Sequence, residues 1–228
     1  MPLQTGVPAA AVSHIFYLHG FASSPASSKA TFFAERLAAH GIRMECPDLN
    51  APDFSTLTLS RMLEQFDDRV AALPPGDVVL IGSSLGGFVA IEAAARRVAA
   101  GDRPVSQLVL LAPAVELEWD RWSEIGAGGV EGWRNAGRID VFHYAFGEER
   151  SLNFGFYEDA NRYRVSECRL PQPMLIFQGR RDESVSPAVV QRFAAAQPHA
   201  TLYMLDDGHQ LKNSLEFIWE KTAAALGL

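Results

Sequence analysis

Six short runs rich in Val, Ile, Leu, Phe and Tyr recur along this chain, at residues 14–18, 42–46, 78–81, 107–111, 174–178 and 201–205. Each is close to continuously apolar. A strand with one wet face alternates, whereas a strand covered on both faces does not, so these runs predict a parallel sheet buried between helices. The intervening segments read as helices. Residues 28–40 set Phe32, Phe33, Leu37 and Ala38 along one side and stop at Gly41. Residues 57–73 space Leu59, Met62, Leu63, Phe66 and Val70 helically before Pro74-Pro75-Gly76. Residues 88–100 are alanine-rich and end at Gly101, residues 187–196 begin on a proline, and residues 214–226 close the chain. Strand alternating with helix implies right-handed β–α–β units. The expected fold is α/β, an open, mostly parallel sheet of about six strands with helices on both faces.

The length, 228 residues with 48% hydrophobic, suits one domain spanning 1–228 with a large core. One stretch, residues 113–170 after the fourth strand, breaks the rhythm. It holds three of the four tryptophans (Trp119, Trp122, Trp133), six further Phe and Tyr from Phe142 to Tyr157, and a cluster of Gly126, Gly128, Gly129 and Gly132. Loops of this length are rarely plain connections. The aromatics either cover a site as a lid or wall, or pack the insert's own small core.

Composition excludes several classes. A net charge of −7 without a Lys/Arg cluster argues against a nucleic-acid partner. Cys46 and Cys168 lie far apart and lack the spacing of zinc ligands, so neither a metal nor a disulfide framework is expected. No apolar run is long enough to span a bilayer. The segment 1–12 lacks the basic start of a signal peptide, which makes the cytoplasm the simplest location. Oligomeric state is left open.

The chemistry centres on Gly82-Ser83-Ser84-Leu85-Gly86, which follows the apolar run 78–81 and opens the helix after it. Strand, sharp turn and helix are the context in which a G-x-S-x-G serine becomes a nucleophile. The hydroxyl sits at a strained position, so its neighbours two residues away must be small. A serine also needs a base, and the base needs a carboxylate to fix its tautomer. Asp182 follows the fifth run and His209 follows the sixth, which gives the chain order Ser, Asp, His at the carboxyl ends of strands. Glu183, Asp206 and Asp207 are rival carboxylates. Glu183 is turned away by its one-residue step, and the other two are too close in sequence to reach around the imidazole. Of the remaining histidines, His14 starts a strand, His40 ends a helix, His143 lies in the insert, and His199 follows Pro198 in a turn.

Acyl transfer also needs donors for the developing oxyanion. The backbone N–H of Leu85 is one. The second is expected from the N–H of Phe21 in the loop His19-Gly20-Phe21-Ala22-Ser23-Ser24-Pro25, with Gly20 permitting its conformation and His19 shaping the loop. Gly20, Phe21 and Leu85 would then line the substrate, with Phe88 and the insert adding apolar surface. Arg180 and Arg181 read as surface residues.

Together His19-Gly20-Phe21, Gly82-Ser83-Ser84-Leu85-Gly86-Gly87, the Gly179…Asp182…Val185…Pro187 loop and Gly208-His209 resemble the α/β-hydrolase superfamily. With Ser28-Lys29-Ala30 after the first loop, the chain more narrowly resembles small bacterial YqiA-type esterases over essentially its whole length. The resemblance implies a serine esterase for short-chain acyl esters, with no cofactor and without the two leading strands of a larger hydrolase sheet. Ser84 would be nucleophile, His209 base, Asp182 its orienter, and Phe21 and Leu85 the oxyanion donors. The insert is larger and more aromatic than in the smallest members, which leaves acyl-chain preference open. A thioesterase with the same three residues, or a ligand-binding scaffold without turnover, are the competing readings.

Overall fold

The computed structural model describes residues 14–102, 104–122 and 125–228, so the segment 1–12 considered above for a leader lies outside the described residues. Among them are eight strands: β1 (His14–Leu18), β2 (Met44–Glu45), β3 (Val78–Ser83), β4 (Val105–Leu111), β5 (Arg138–His143), β6 (Glu148–Asn153), β7 (Met174–Gly179) and β8 (Ala200–Leu205). Six of them form one sheet in the order β2-β1-β3-β4-β7-β8, every neighbour parallel. The helices are α1 (Ser28–Ala39), α2 (Leu59–Ala71), α3 (Leu85–Ala100), α4 (Gly129–Ala136), α5 (Gly155–Ala160), α6 (Pro187–Ala195) and α7 (Leu215–Leu226).

The continuous apolar character of the strands has a direct cause. Side chains alternate across the sheet, and both faces are covered. Phe16, Leu18, Leu80, Leu108, Leu110 and Ile176 point to the side covered by α2, α3 and α6. Ile15, Tyr17, Val79, Ile81, Val109, Leu111 and Phe177 point to the side covered by α1 and α7. All of these residues are buried. Fully burying one such side chain is worth about 1.5–3 kcal/mol.

Boundaries moved where local chemistry decided them. The expected strand 42–46 shrinks to Met44–Glu45, because it is an edge strand carrying Arg43 and Glu45 and pairs only with β1. Thr58 caps α2 by accepting from Arg61 N at 3.1 Å, which sets its start at Leu59. Helix α3 begins at Leu85, three residues earlier than the alanine-rich pattern indicated, directly after Ser84.

The insert contains structure that its aromatic content concealed. A 3-10 turn at Trp119–Arg121 precedes α4, the antiparallel hairpin β5–β6 and α5, and a 3-10 turn at Val165–Glu167 follows them. In β5 the alternation is plain afterwards: Ile139, Val141 and His143 face inward, while Arg138, Asp140 and Phe142 face outward. Trp133 is buried and donates its indole N–H to Leu152 O at 3.3 Å. Trp119, Trp133, Phe154, Phe156 and Tyr157 pack on one another, whereas Phe142, Tyr144 and Phe146 are exposed. The insert therefore adds its rings to the core on the side of the sheet covered by α2 and α3. It also reaches the carboxyl end of the sheet, where Tyr144 N donates to Ala22 O at 3.0 Å.

Candidate active site

Ser84 sits between β3 and α3 with φ 53° and ψ −117°, a conformation that a non-glycine residue holds only when its surroundings enforce it. The enforcement is visible. A Cβ on Gly86 would lie 1.9 Å from Leu18 O, and one on Gly82 would lie 2.6 Å from Gly86 O. Only glycine lets α3 start this close to β1. Ser84 N donates to Leu111 O at 2.9 Å, and Ser84 O accepts from Gly87 N and Ala114 N. The turn is thus held by β4 and by its own helix.

His209 comes from the loop between β8 and α7. Its Nε2 lies 3.1 Å from Ser84 Oγ across 125 residues of chain, and its Nδ1 lies 2.9 Å from Asp182 Oδ2. An ionised carboxylate can only accept, so Nδ1 carries the proton and Nε2 offers a lone pair to the serine hydroxyl. Asp182 is 5% exposed. Its Oδ1 accepts from Ser184 N at 2.9 Å and Val185 N at 2.8 Å, and its Oδ2 also accepts from Gln178 Nε2 at 2.9 Å. Burial alone would raise its pKa. The hydrogen bond and charge of His209, with the bonds from Val185 and Gln178, outweigh burial and hold it below the usual carboxylate range.

The three rival carboxylates are placed elsewhere. Glu183 is exposed, and Asp206 pairs with Arg181 at the surface. Asp207 is buried and accepts from Gly208 N at 2.8 Å, Asn213 N at 2.9 Å and Ser214 Oγ at 3.0 Å. It shapes the loop that carries His209. Among the described residues no other histidine hydrogen-bonds to Ser84 or Asp182. His14 bonds Pro74 O, His40 packs on Trp219, His199 is exposed, and His143 is buried between Phe54 and Phe146.

The loop after β1 turns beside the serine. His19 is 1% exposed; its Nε2 accepts from Leu49 N at 3.0 Å and its Nδ1–H donates to Gly20 O at 2.9 Å. Burial lowers its pKa, which keeps the ring neutral in this bonding pattern. Gly20 leaves the loop room beside the serine. Its φ is not left-handed, but a Cβ there would lie 3.3 Å from Ser83 O and 3.4 Å from Ser84 Cβ. It supplies room, and the left-handed residue of the loop is Ala22, at φ 50°. Among the described residues, the N–H groups of Phe21 and Leu85 donate to no protein acceptor. Leu85 N–H also opens the N-terminus of α3, whose dipole favours negative charge.

The Phe21 ring packs at a tilt against Trp122 and Phe156 of the insert, at 4.9 and 5.7 Å, and against Phe54 from the segment before α2, at 5.5 Å. The insert also grips the Asp182 loop. Ser186 N donates to Glu118 Oε2 at 3.2 Å, and Arg121 Nη2 donates to Glu183 O at 2.8 Å. A cleft of about 250 Å³ between α3 and the insert has Phe88, Val115, Leu117 and Trp119 in its lining, and none of Ser84, Asp182, His209 or Phe21 lines it. Arg180 and Arg181 are exposed, as read from sequence. Among the described residues no cluster of three His, Cys, Asp or Glu side chains is placed to hold a metal. Both cysteines are free, and burial pushes the Cys46 thiol up to about 12 and raises that of Cys168, so neither is a ready thiolate. No helix among the described residues is long and apolar enough to cross a membrane.

Sequence reasoning did not single out Gln178, and it named Trp122 only among the insert's aromatics, as lid, wall or packing. The signal for Gln178 was an amide at the end of a strand otherwise apolar and buried. Trp122 carried no positional signal, because only the fold brings it to Phe21.

The six-stranded parallel sheet with helices on both faces and a sharp strand–Ser84–helix turn define an α/β-hydrolase. Solved structures of similar fold include Est1E from Butyrivibrio proteoclasticus (21% identity, TM-score 0.78, covering 93% of this chain and 87% of that one). Alpha/beta hydrolase domain-containing protein 10 from mouse is another (18%, 0.75, covering 96% and 91%), as is a monoacylglycerol lipase from Paleococcus ferrophilus (14%, 0.73, covering 93% of each). The chain belongs to the uncharacterised protein family UPF0227, which matches residues 14–225 and to which the YqiA-type resemblance corresponds. A comparison with curated proteins finds no match.

Proposed function

We propose that this protein is a serine hydrolase that cleaves carboxylic esters of short acyl chains through an acyl-enzyme on Ser84. The observation that carries the reading is the unbroken hydrogen-bonded path from Ser84 Oγ to His209 to Asp182, at 3.1 and 2.9 Å. The presence of esterases and lipases among the structural neighbours supports the class.

Ser84 Oγ attacks the acyl carbon while His209 Nε2 takes its proton. The carbonyl electrons move onto oxygen, and the N–H groups of Phe21 and Leu85 receive the oxyanion. Asp182 stabilises the imidazolium. The oxyanion then collapses, His209 returns the proton to the leaving alkoxide, and the acyl group stays on Ser84. Water, deprotonated by His209, repeats the sequence and releases the acid. No cofactor enters any step. Residues 113–170 act as a lid within a single domain, and the rings of Phe21 and Trp122 give the acyl group an apolar wall. In this reading the enzyme works in the cytoplasm on a small-molecule ester.

A series of p-nitrophenyl esters from acetate to decanoate, with matched thioesters, tests the proposal. Expected is hydrolysis that falls with chain length, prefers oxygen esters and drops about a million-fold in Ser84→Ala. Equal activity in Ser84→Ala, or no turnover of any ester or thioester, would overturn it.

A further inference from the structure

Lys29 is the second residue of α1, and only 8% of it is exposed. The placement is expensive. A buried ammonium forfeits hydration, and the first turn of a helix is the wrong end for a cation. Among the described residues its Nζ makes one hydrogen bond, 3.2 Å to the carbonyl oxygen of Gln210. Gln210 directly follows His209. Helix α1 in turn emerges from the loop 19–25 that holds Phe21. Lys29 therefore ties the element behind the expected oxyanion donor to the loop that carries the imidazole.

We infer that Lys29 is a positioning residue, whose ammonium holds the Gln210 carbonyl and so keeps His209 in reach of both Ser84 and Asp182. The inference rests on the proposed function. The charged groups facing Lys29 are Asp182 from the loop after β7, and Asp207 and Lys212 from the loop after β8. Burial pushes its pKa down to about 8, against the pull of Asp182 and Asp207 and with the push of Lys212. Below that pH the amine is a charged, strong donor. Above it the amine is neutral and a weaker donor to Gln210 O. The rate of reaction at Ser84 should then fall as pH rises through about 8.

The experiment measures kcat and KM for p-nitrophenyl acetate, and the rate of fluorophosphonate labelling of Ser84, from pH 6 to 10. It uses the whole chain as wild type, Lys29→Met and Lys29→Arg, with melting temperatures alongside. A misplaced catalytic group typically loses about 100-fold. Lys29→Met should lose on that order in kcat at pH 7, keep KM, and lack the descending limb near pH 8. Lys29→Arg stays charged throughout and should recover most of kcat, with its limb moved to higher pH. Should Lys29→Met fail to fold, the wild-type profile decides, and a flat profile from pH 7 to 10 overturns the inference. Wild-type kcat and an unaltered limb in Lys29→Met also overturn it, as does a loss confined to KM. An unlabelled Ser84 in the wild type defeats the proposed function and this inference with it. Labelling of Lys29→Met at the wild-type rate defeats this inference alone.

Discussion

A Cβ atom placed on Gly86 would lie 1.9 Å from the carbonyl oxygen of Leu18. The obstacle is the backbone of β1, which cannot swing aside as a side chain would. Gly86→Ala must therefore push α3 away from the sheet and take Ser84 with it. Overpacking of ordinary core sites costs 1–3 kcal/mol, and the upper end, about 3 kcal/mol, is the least expected here. For a chain of this length that is roughly 6–12 °C in melting temperature. Thermal unfolding followed by circular dichroism measures it, and a melting temperature within a degree of wild type would contradict the packing described.

Asp182→Asn removes the acceptor that fixes the His209 tautomer. The expected loss in kcat is about ten-thousand-fold, as in the analogous change in serine proteases. The substitution also has a signature in stability. The folded pKa of Asp182 lies below its unfolded value, near 3.9. The ionised group therefore contributes stability above that pH and loses it as pH falls through the folded value. The difference in urea stability between wild type and Asp182→Asn should be largest near neutrality and shrink below pH 4. A difference independent of pH from 6 down to 3 would show that the carboxylate is not held in this way.

Asp207 and Asp206 are neighbours with opposite expectations. Asp207 takes three donors within its own loop, and Asp207→Ala strands them at about 1–3 kcal/mol for each group left buried. Stability and kcat should fall together, because the same loop holds His209. Asp206 is exposed and pairs with Arg181 at the surface, so Asp206→Ala should stay within about 0.5 kcal/mol of wild type. Urea titrations of both variants measure the contrast. Equal effects would contradict it.

Trp122 covers Phe21 at 4.9 Å but takes no part in the proton path. Trp122→Ala should raise KM for apolar acyl esters and shift the chain-length preference, while Ser84 stays reactive toward a small acylating probe. Steady-state kinetics across the ester series measure this. An unchanged KM and chain-length profile would remove the insert from the substrate's surroundings.

How far the sequence could be read depended on the kind of signal each residue left. The six strands were legible because burial on both faces forces continuous apolar runs. Ser84, Asp182 and His209 were legible because each stands at the end of one such run, where an open sheet places its loops. Periodicity erred where a different force set the boundary. Leu85 begins α3 because the Ser84 turn starts a helix at once, and Gly86 and Gly87 hide that start from any propensity rule. Residues 42–46 kept only two strand residues because an edge strand has one partner. The insert was opaque because its elements are short and its fold depends on ring packing among Trp119, Trp133, Phe154 and Tyr157, which leaves no simple period. Contacts that join distant segments, such as Trp122 with Phe21 or Lys29 with Gln210, leave no local trace at all.

Covalent capture reads the reactivity of the Ser84 hydroxyl itself. The wild-type protein is treated with a fluorophosphonate, digested, and the modified peptide identified by mass. One adduct is expected, on Ser84 within the peptide that joins β3 to α3, and none in Ser84→Ala. An adduct on another serine, or ester hydrolysis that persists in Ser84→Ala without any adduct, would contradict it.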